Sequence, residues 1–188
     1  EPTIIGVKPG QKYTRRELVE ALLIRSGNDI ALVLARDNAG SVEAFSEKMN
    51  ARALSLGMTD TEFMNPHGLT VSGQGSTARD MALLGRAAYA HPFIRECVST
   101  KSATFTFEDG STRSLNNTNK VLSSLSYCNG MKTGYTSASG NCLVSSAEKD
   151  GRARIVVVLG SNGTWVWKDS HCLLYTSEPT RHLFISYA

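Results

Sequence analysis

Ser26-Gly27-Asn28 and Lys132-Thr133-Gly134 stand out in this 188-residue chain as places where groups able to do chemistry sit side by side. The first couples a hydroxyl to a carboxamide across a glycine. The second couples an ammonium to a hydroxyl and a glycine. In this order they match two parts of a three-part serine acyl-transfer signature, whose remaining part, Ser-x-x-Lys, supplies the nucleophile and its base. No Ser-x-x-Lys precedes Ser26. Ser146-Ala147-Glu148-Lys149 spells it, but after the lysine triplet and where a strand meets a hairpin turn. The nucleophile is wanted at a helix start with its lysine one turn later on the same face, so Ser146 is read as a chance match.

Each triplet needs an element to hold it. Thr14 and Glu17 form a capping box, and Leu18, Ala21, Leu22 and Ile24 follow at helical spacing, which predicts a helix over 14–25. Ser26-Gly27-Asn28 is a poor helix interior and a good turn. A second helix over 29–38 carries Ile30, Leu32, Val33 and Leu34 as a nearly all-apolar run, which suggests burial. A third spans 41–56, closed by Gly57, and a fourth spans 78–89 behind a second capping box at Thr77 and Asp80. Between them lies a loop over 58–76. Glu108-Asp109-Gly110 marks a hairpin joining strands at 104–107 and 112–115. The stretch 116–129 reads as a polar loop. Strands over 130–136, 141–148 and 152–159 then form a meander, and Trp165 and Trp167 open a terminal helix. Helices first and an antiparallel meander last predict an α+β layered domain.

Plainer readings exist for both triplets. Lys132 would suit an edge strand as a charge that discourages strand-to-strand association. Ser26 would suit the N-cap of the second helix. A polar Ser and Asn between two buried helices must either find hydrogen-bond partners or line a cleft.

Beyond the triplets, Asn65-Pro66-His67-Gly68-Leu69, Ser76-Thr77-Ala78-Arg79-Asp80, Leu56-Gly57-Met58 and Gly6-Val7-Lys8-Pro9-Gly10 complete a pattern. Together they resemble the serine D-alanyl-D-alanine carboxypeptidases, the low-molecular-mass penicillin-binding proteins of the S11 peptidase family. The resemblance runs to about His171. It implies a β-lactamase/transpeptidase-like fold, an antiparallel sheet flanked by helices, here without the N-terminal strands and nucleophile helix that would precede Glu1. It implies acyl transfer on peptidoglycan stem peptides, with β-lactams as inhibitors. Ser26 would relay a proton toward the departing D-Ala nitrogen and Asn28 would hold the substrate amide. Lys132 would supply charge and attract the terminal carboxylate, Thr133 would hydrogen-bond it, and Gly134 would keep the strand open. Tyr135 stands where relatives often have His, and Lys168 near where some carry an Arg. Ser-Gly-Asn and Asn-Pro-His-Gly-Leu speak against the alternative of a class A-like β-lactamase. A second alternative is a non-catalytic peptidoglycan-binding pseudoenzyme. The implied parent is periplasmic or extracytoplasmic, attached to a membrane through parts outside this chain.

The chain from Cys172 onward breaks the pattern. Cys172-Leu173-Leu174-Tyr175-Thr176-Ser177 reads like a translated sequencing-library adapter. The expected division is therefore a partial catalytic domain over 1–171 and a non-native tail over 172–188, set aside from fold reasoning and expected to make few contacts.

Composition fits one globular domain, 41% apolar and with no transmembrane run. A net charge of +3 with scattered Lys and Arg argues against nucleic acid. Cys97, Cys128, Cys142 and Cys172 lack metal-ligand spacing, and His67 and His91 lack partners, so no metal or cofactor is implied. His67 is read as fixing its turn and His91 as ending the fourth helix.

Overall fold

The computed structural model describes residues 2–176 with their side chains and the backbone of 183–186. Helices α1 (Arg15–Arg25), α2 (Asn28–Ala39) and α3 (Val42–Ser55) come first, then α4 (Ala78–Tyr89) and α5 (Pro92–Ser99). A hairpin of β1 (Ser102–Thr106) and β2 (Thr112–Asn116) precedes the short α6 (Val121–Ser124). Strands β3 (Cys128–Thr136), β4 (Gly140–Lys149) and β5 (Arg152–Ser161) form the meander, followed by α7 (Trp165–Thr176) and β6 (Leu183–Ser186). The main sheet runs β3-β4-β5-β6, antiparallel except that β6 lies parallel to β5. A helix that packs back along the sheet returns the chain for a parallel neighbour, and α7 occupies that place in the sequence.

Period-2 alternation on β4 and β5 splits their side chains between two faces. Leu143, Val156 and Val158 meet Val166 and Leu174 of α7, with Val121 and Leu122 of α6, on one face. Val144, Ile155 and Val157 meet Ala78 and Ala82 of α4 and Val98 of α5 on the other. A third cluster joins α1, α2 and the hairpin through Ile5, Leu18, Ala21, Ile24, Ile30, Phe105 and Leu115. Ser26 therefore rides on the helical cluster and Lys132 on the sheet.

Local chemistry explains most boundaries. Thr14 accepts from the Glu17 amide while the Glu17 carboxylate accepts from the Thr14 amide, the reciprocal box expected. The expected second box is only half present. Thr77 Oγ1 caps α4 by accepting from the Asp80 amide, but the buried Asp80 carboxylate turns away. It accepts from the Asp60 amide at 2.9 Å and the Thr61 hydroxyl at 2.8 Å, stapling the loop before α4 to that helix. His91 does not end α4; it is the N-cap of α5, with Pro92 in the first turn. The apolar run of α2 is not uniformly buried. Ile30 and Ala31 are enclosed, whereas Val33 is 39% exposed. Leu34 lines a groove of about 330 Å³ between α1, α2 and α3 with Val19, Leu22 and Phe45.

The expectation of few contacts from Cys172 onward is not met at Leu174. The helix runs through Cys172 to Thr176, and Leu174 is 1% exposed in the core. Val166, Ser170 and Leu174 fall on one stripe at i, i+4 spacing, so a leucine at the third position packs whatever its origin. Residues 177–182, 187 and 188 of that tail lie outside the described residues. Leu174→Ala is expected to cost about 2–4 kcal/mol in a denaturant titration. No loss of stability would restore the expectation of an unpacked tail from Cys172 onward.

Candidate active site

The turn between α1 and α2 places Ser26 in an uncommon backbone conformation. Ser26 is the C-cap of α1 with φ 67° and ψ 44°, its amide donating to the Leu22 carbonyl. A residue with a Cβ pays roughly 1–2 kcal/mol there. The expected alternative of Ser26 as N-cap of α2 is overturned: Gly27 takes that position, with no side-chain cap. The Ser26 hydroxyl is thereby released from local capping.

Gly27 is required by close approach. A Cβ added there would lie 2.6 Å from Cγ1 of Ile5, which is fully buried. Ile5 belongs to an N-terminal segment strapped beside the turn. Asp29 accepts from the amides of Ile5 at 2.9 Å, Gly6 at 2.7 Å and Val7 at 3.3 Å, while the Asn28 amide donates to the Thr3 carbonyl at 2.8 Å. Asn28 opens the first turn of α2.

Lys132 arrives from the sheet. Its ammonium donates to Ser26 Oγ at 2.8 Å, across 106 positions of sequence, and to the Thr133 carbonyl at 3.1 Å. Burial lowers its pKa to about 8, because the charged form has lost water. Gly130 sets the depth of this strand. A Cβ there would lie 2.8 Å from both Ser146 Oγ and Val98 Cγ2, so only glycine lets β3 sit this close to β4 and α5. The Thr133 hydroxyl lies 2.6 Å from the Thr118 hydroxyl. Gly134 is exposed, and a Cβ there would meet only Cys142 Cβ, at 3.9 Å. Packing among the described residues thus gives no reason for a glycine at 134.

Other sequence-expected residues fall outside this pairing. Ser146 is fully buried on β4 and its hydroxyl has no partner among the described residues, which is no place for a nucleophile that must meet a ligand. Tyr135 is 66% exposed. The Lys168 ammonium stands 4.6 Å over the Trp165 ring. His67 Nδ1 accepts from the Leu69 amide, holding the turn as expected, and burial lowers its pKa.

The stretch read as a plain polar loop turns out to be ordered beside the site. Asn117 donates to the Val98 and Thr100 carbonyls. Asn119, 2% exposed, donates to the Gly130 carbonyl at 2.9 Å. The only sequence sign was the alternation Asn117-Thr118-Asn119, since asparagines in turns commonly bond nearby backbone.

A hydroxyl held against an ammonium with a pKa of about 8 can pass a proton in either direction, and the same cation is able to draw an anion toward Thr133. A family model described as D-alanyl-D-alanine carboxypeptidase matches residues 3–163. D-alanyl-D-alanine carboxypeptidase DacC of Escherichia coli is 42% identical over 159 residues, which cover 85% of this chain and 39% of that protein. DacF of Bacillus subtilis is 35% identical over 158 residues, covering 84% of this chain and 41% of that protein. The chain thus spans well under two thirds of the length of these curated relatives. Among solved structures, the Streptomyces K15 DD-transpeptidase superposes with a TM-score of 0.86 at 30% identity, covering 92% of this chain and 71% of that one.

Proposed function

Because the chain belongs to the D-alanyl-D-alanine carboxypeptidase family, we propose that the protein it represents is a serine-type D-Ala-D-Ala carboxypeptidase acting on peptidoglycan stem peptides. The observation that carries this reading is the 2.8 Å hydrogen bond between Lys132 Nζ and Ser26 Oγ. Folding alone gives a turn residue and a distant strand residue no reason to meet, whereas a shared proton relay requires direct reach.

In the proposed reaction, the serine of a Ser-x-x-Lys segment upstream of Glu1 attacks the carbonyl of the D-Ala–D-Ala amide. The lysine of that segment takes the serine proton. Ser26, held by Lys132, relays that proton to the departing D-Ala nitrogen, which leaves the lysine free to take a proton from the water that releases the acyl group and to return it to the serine. Asn28 holds the substrate amide. Lys132 and Thr133 receive the terminal carboxylate, and Gly134 leaves room for the peptide along β3. Metal and organic cofactor have no part in this scheme. Substrates of this kind place the protein on the extracytoplasmic side, with β-lactams as acylating inhibitors.

Fluorescent penicillin tests the proposal. The 188-residue chain is expected to remain unlabelled, and fusion of a family Ser-x-x-Lys segment before Glu1 is expected to bring labelling. Labelling of the unfused chain that disappears in Ser146→Ala would reinstate Ser146 as nucleophile. A folded fusion protein that binds stem peptide without being acylated would favour a peptidoglycan-binding pseudoenzyme.

A further inference from the structure

We infer that Thr118 is a positioning residue: its hydroxyl donates to Thr133 Oγ1, leaves the Thr133 proton free, and so gives the site its preference for ligands ending in a free carboxylate. The inference rests on the proposed role of Lys132 and Thr133 as the carboxylate-binding pair.

The two hydroxyls lie 2.6 Å apart, so one donates to the other. A hydroxyl has one proton and two lone pairs. If Thr133 gives its proton to Thr118, it offers a ligand only lone pairs, which repel an anion. If Thr118 donates, Thr133 points its proton outward, and the chain from hydroxyl to hydroxyl to carboxylate is polarised in one direction. Lys132, the preceding residue, makes this the site of an anion, which selects the second arrangement.

Thr118 is held where this matters. Asn117 ties its N-terminal side to the end of α5 through the Val98 and Thr100 carbonyls, and accepts from the Asn119 amide at 2.9 Å. Asn119 ties its C-terminal side to β3 through the Gly130 carbonyl, two residues before Lys132, and accepts from the Val121 amide at 3.0 Å. Two locked asparagines thus fix the threonine between them, and its hydroxyl is left to face Thr133.

The test compares N-acetyl-D-Ala-D-Ala with its C-terminal amide, titrated into the isotopically labelled chain and followed by amide chemical shifts. The native chain is expected to bind the acid about tenfold or more tightly than the amide, and Thr118→Val to lose about five- to tenfold in acid affinity alone. Thr118→Ser should keep the preference. Should the valine variant fail to fold, Thr118→Ala carries the same expectation. Equal loss for both ligands, or an undiminished preference without the hydroxyl, would overturn the inference. A native chain that does not distinguish acid from amide would instead overturn the carboxylate-binding role proposed for Lys132 and Thr133.

Discussion

Lys132→Met is expected to leave a protein that is more stable at neutral pH and almost devoid of penicillin acylation. Both effects come from one ammonium. In the protein carrying an upstream Ser-x-x-Lys segment, loss of a preorganised cation should slow acylation by roughly a hundred- to a thousandfold. Stability moves the other way. Burial holds the Lys132 pKa at about 8 against an ordinary 10.5. Below about pH 8 the lysine is charged in both folded and unfolded chains, and the folded state bears the full desolvation penalty. Between about 8 and 10.5 the folded state sheds its proton first, so the unfolded chain holds more protons and stability rises with pH. Above that range the penalty is gone. It amounts to about 3 kcal/mol. Urea unfolding from pH 7 to 11 should show the stability gap between Lys132→Met and the native chain closing as pH rises, a difference in which the raised pKa values of Tyr89, Cys97 and Cys128, common to both proteins, cancel. A variant less stable than the native chain at pH 7 would mean that the bonds to Ser26 and the Thr133 carbonyl outweigh desolvation.

Asp29→Ala should be the most damaging single change near the turn. Its carboxylate accepts from three successive backbone amides, of Ile5, Gly6 and Val7, and truncation orphans all of them at once. Hydrogen bonds to a charged acceptor are worth more than neutral ones, but Asp29 is only partly buried and water can reach some of the amides. A loss of about 3 kcal/mol is expected on balance. Asp29→Asn, which keeps the oxygen acceptor without its charge, should lose about half as much. The larger consequence concerns Ser26. The strapped segment brings Ile5 close to Gly27, beside the left-handed Ser26, so its release is expected to loosen that residue. Denaturant midpoints and penicillin labelling of the upstream-restored protein, measured together, would check this. Unchanged stability would show that the N-terminal strap is dispensable.

Elements governed by neighbouring residues were legible in the sequence. Thr14 and Glu17 announced the start of α1, and Asp109-Gly110 announced the hairpin. The α5 helix is hidden in the sequence because His91 resembles a helix end, although Pro92 suits a first turn. Asp80 imitated a capping box, yet its carboxylate serves Asp60 and Thr61, twenty and nineteen positions back. Leu174 stands in a stretch whose codons resemble an adapter, yet packing responds only to spacing and shape. The site divides in the same way. Ser26, Asn28, Lys132, Thr133 and Gly134 stand in triplets whose chemistry is visible one residue at a time. Thr118 and Asp29 act through partners that only folding supplies.

The bond between Ser26 and Lys132 closes a loop of 106 residues. Joining the ends of such a loop costs an unfolded chain about 4 kcal/mol of entropy from its length dependence alone. No single hydrogen bond repays that, so the contact has no existence in a disordered or half-assembled chain. It forms once the helical cluster holding the turn and the sheet holding β3 have each folded and docked. A reagent that reacts only with the assembled site therefore counts native molecules. In a refolding or expression experiment, chains with correct helices but an undocked sheet would pass a secondary-structure measurement and remain invisible to such a probe.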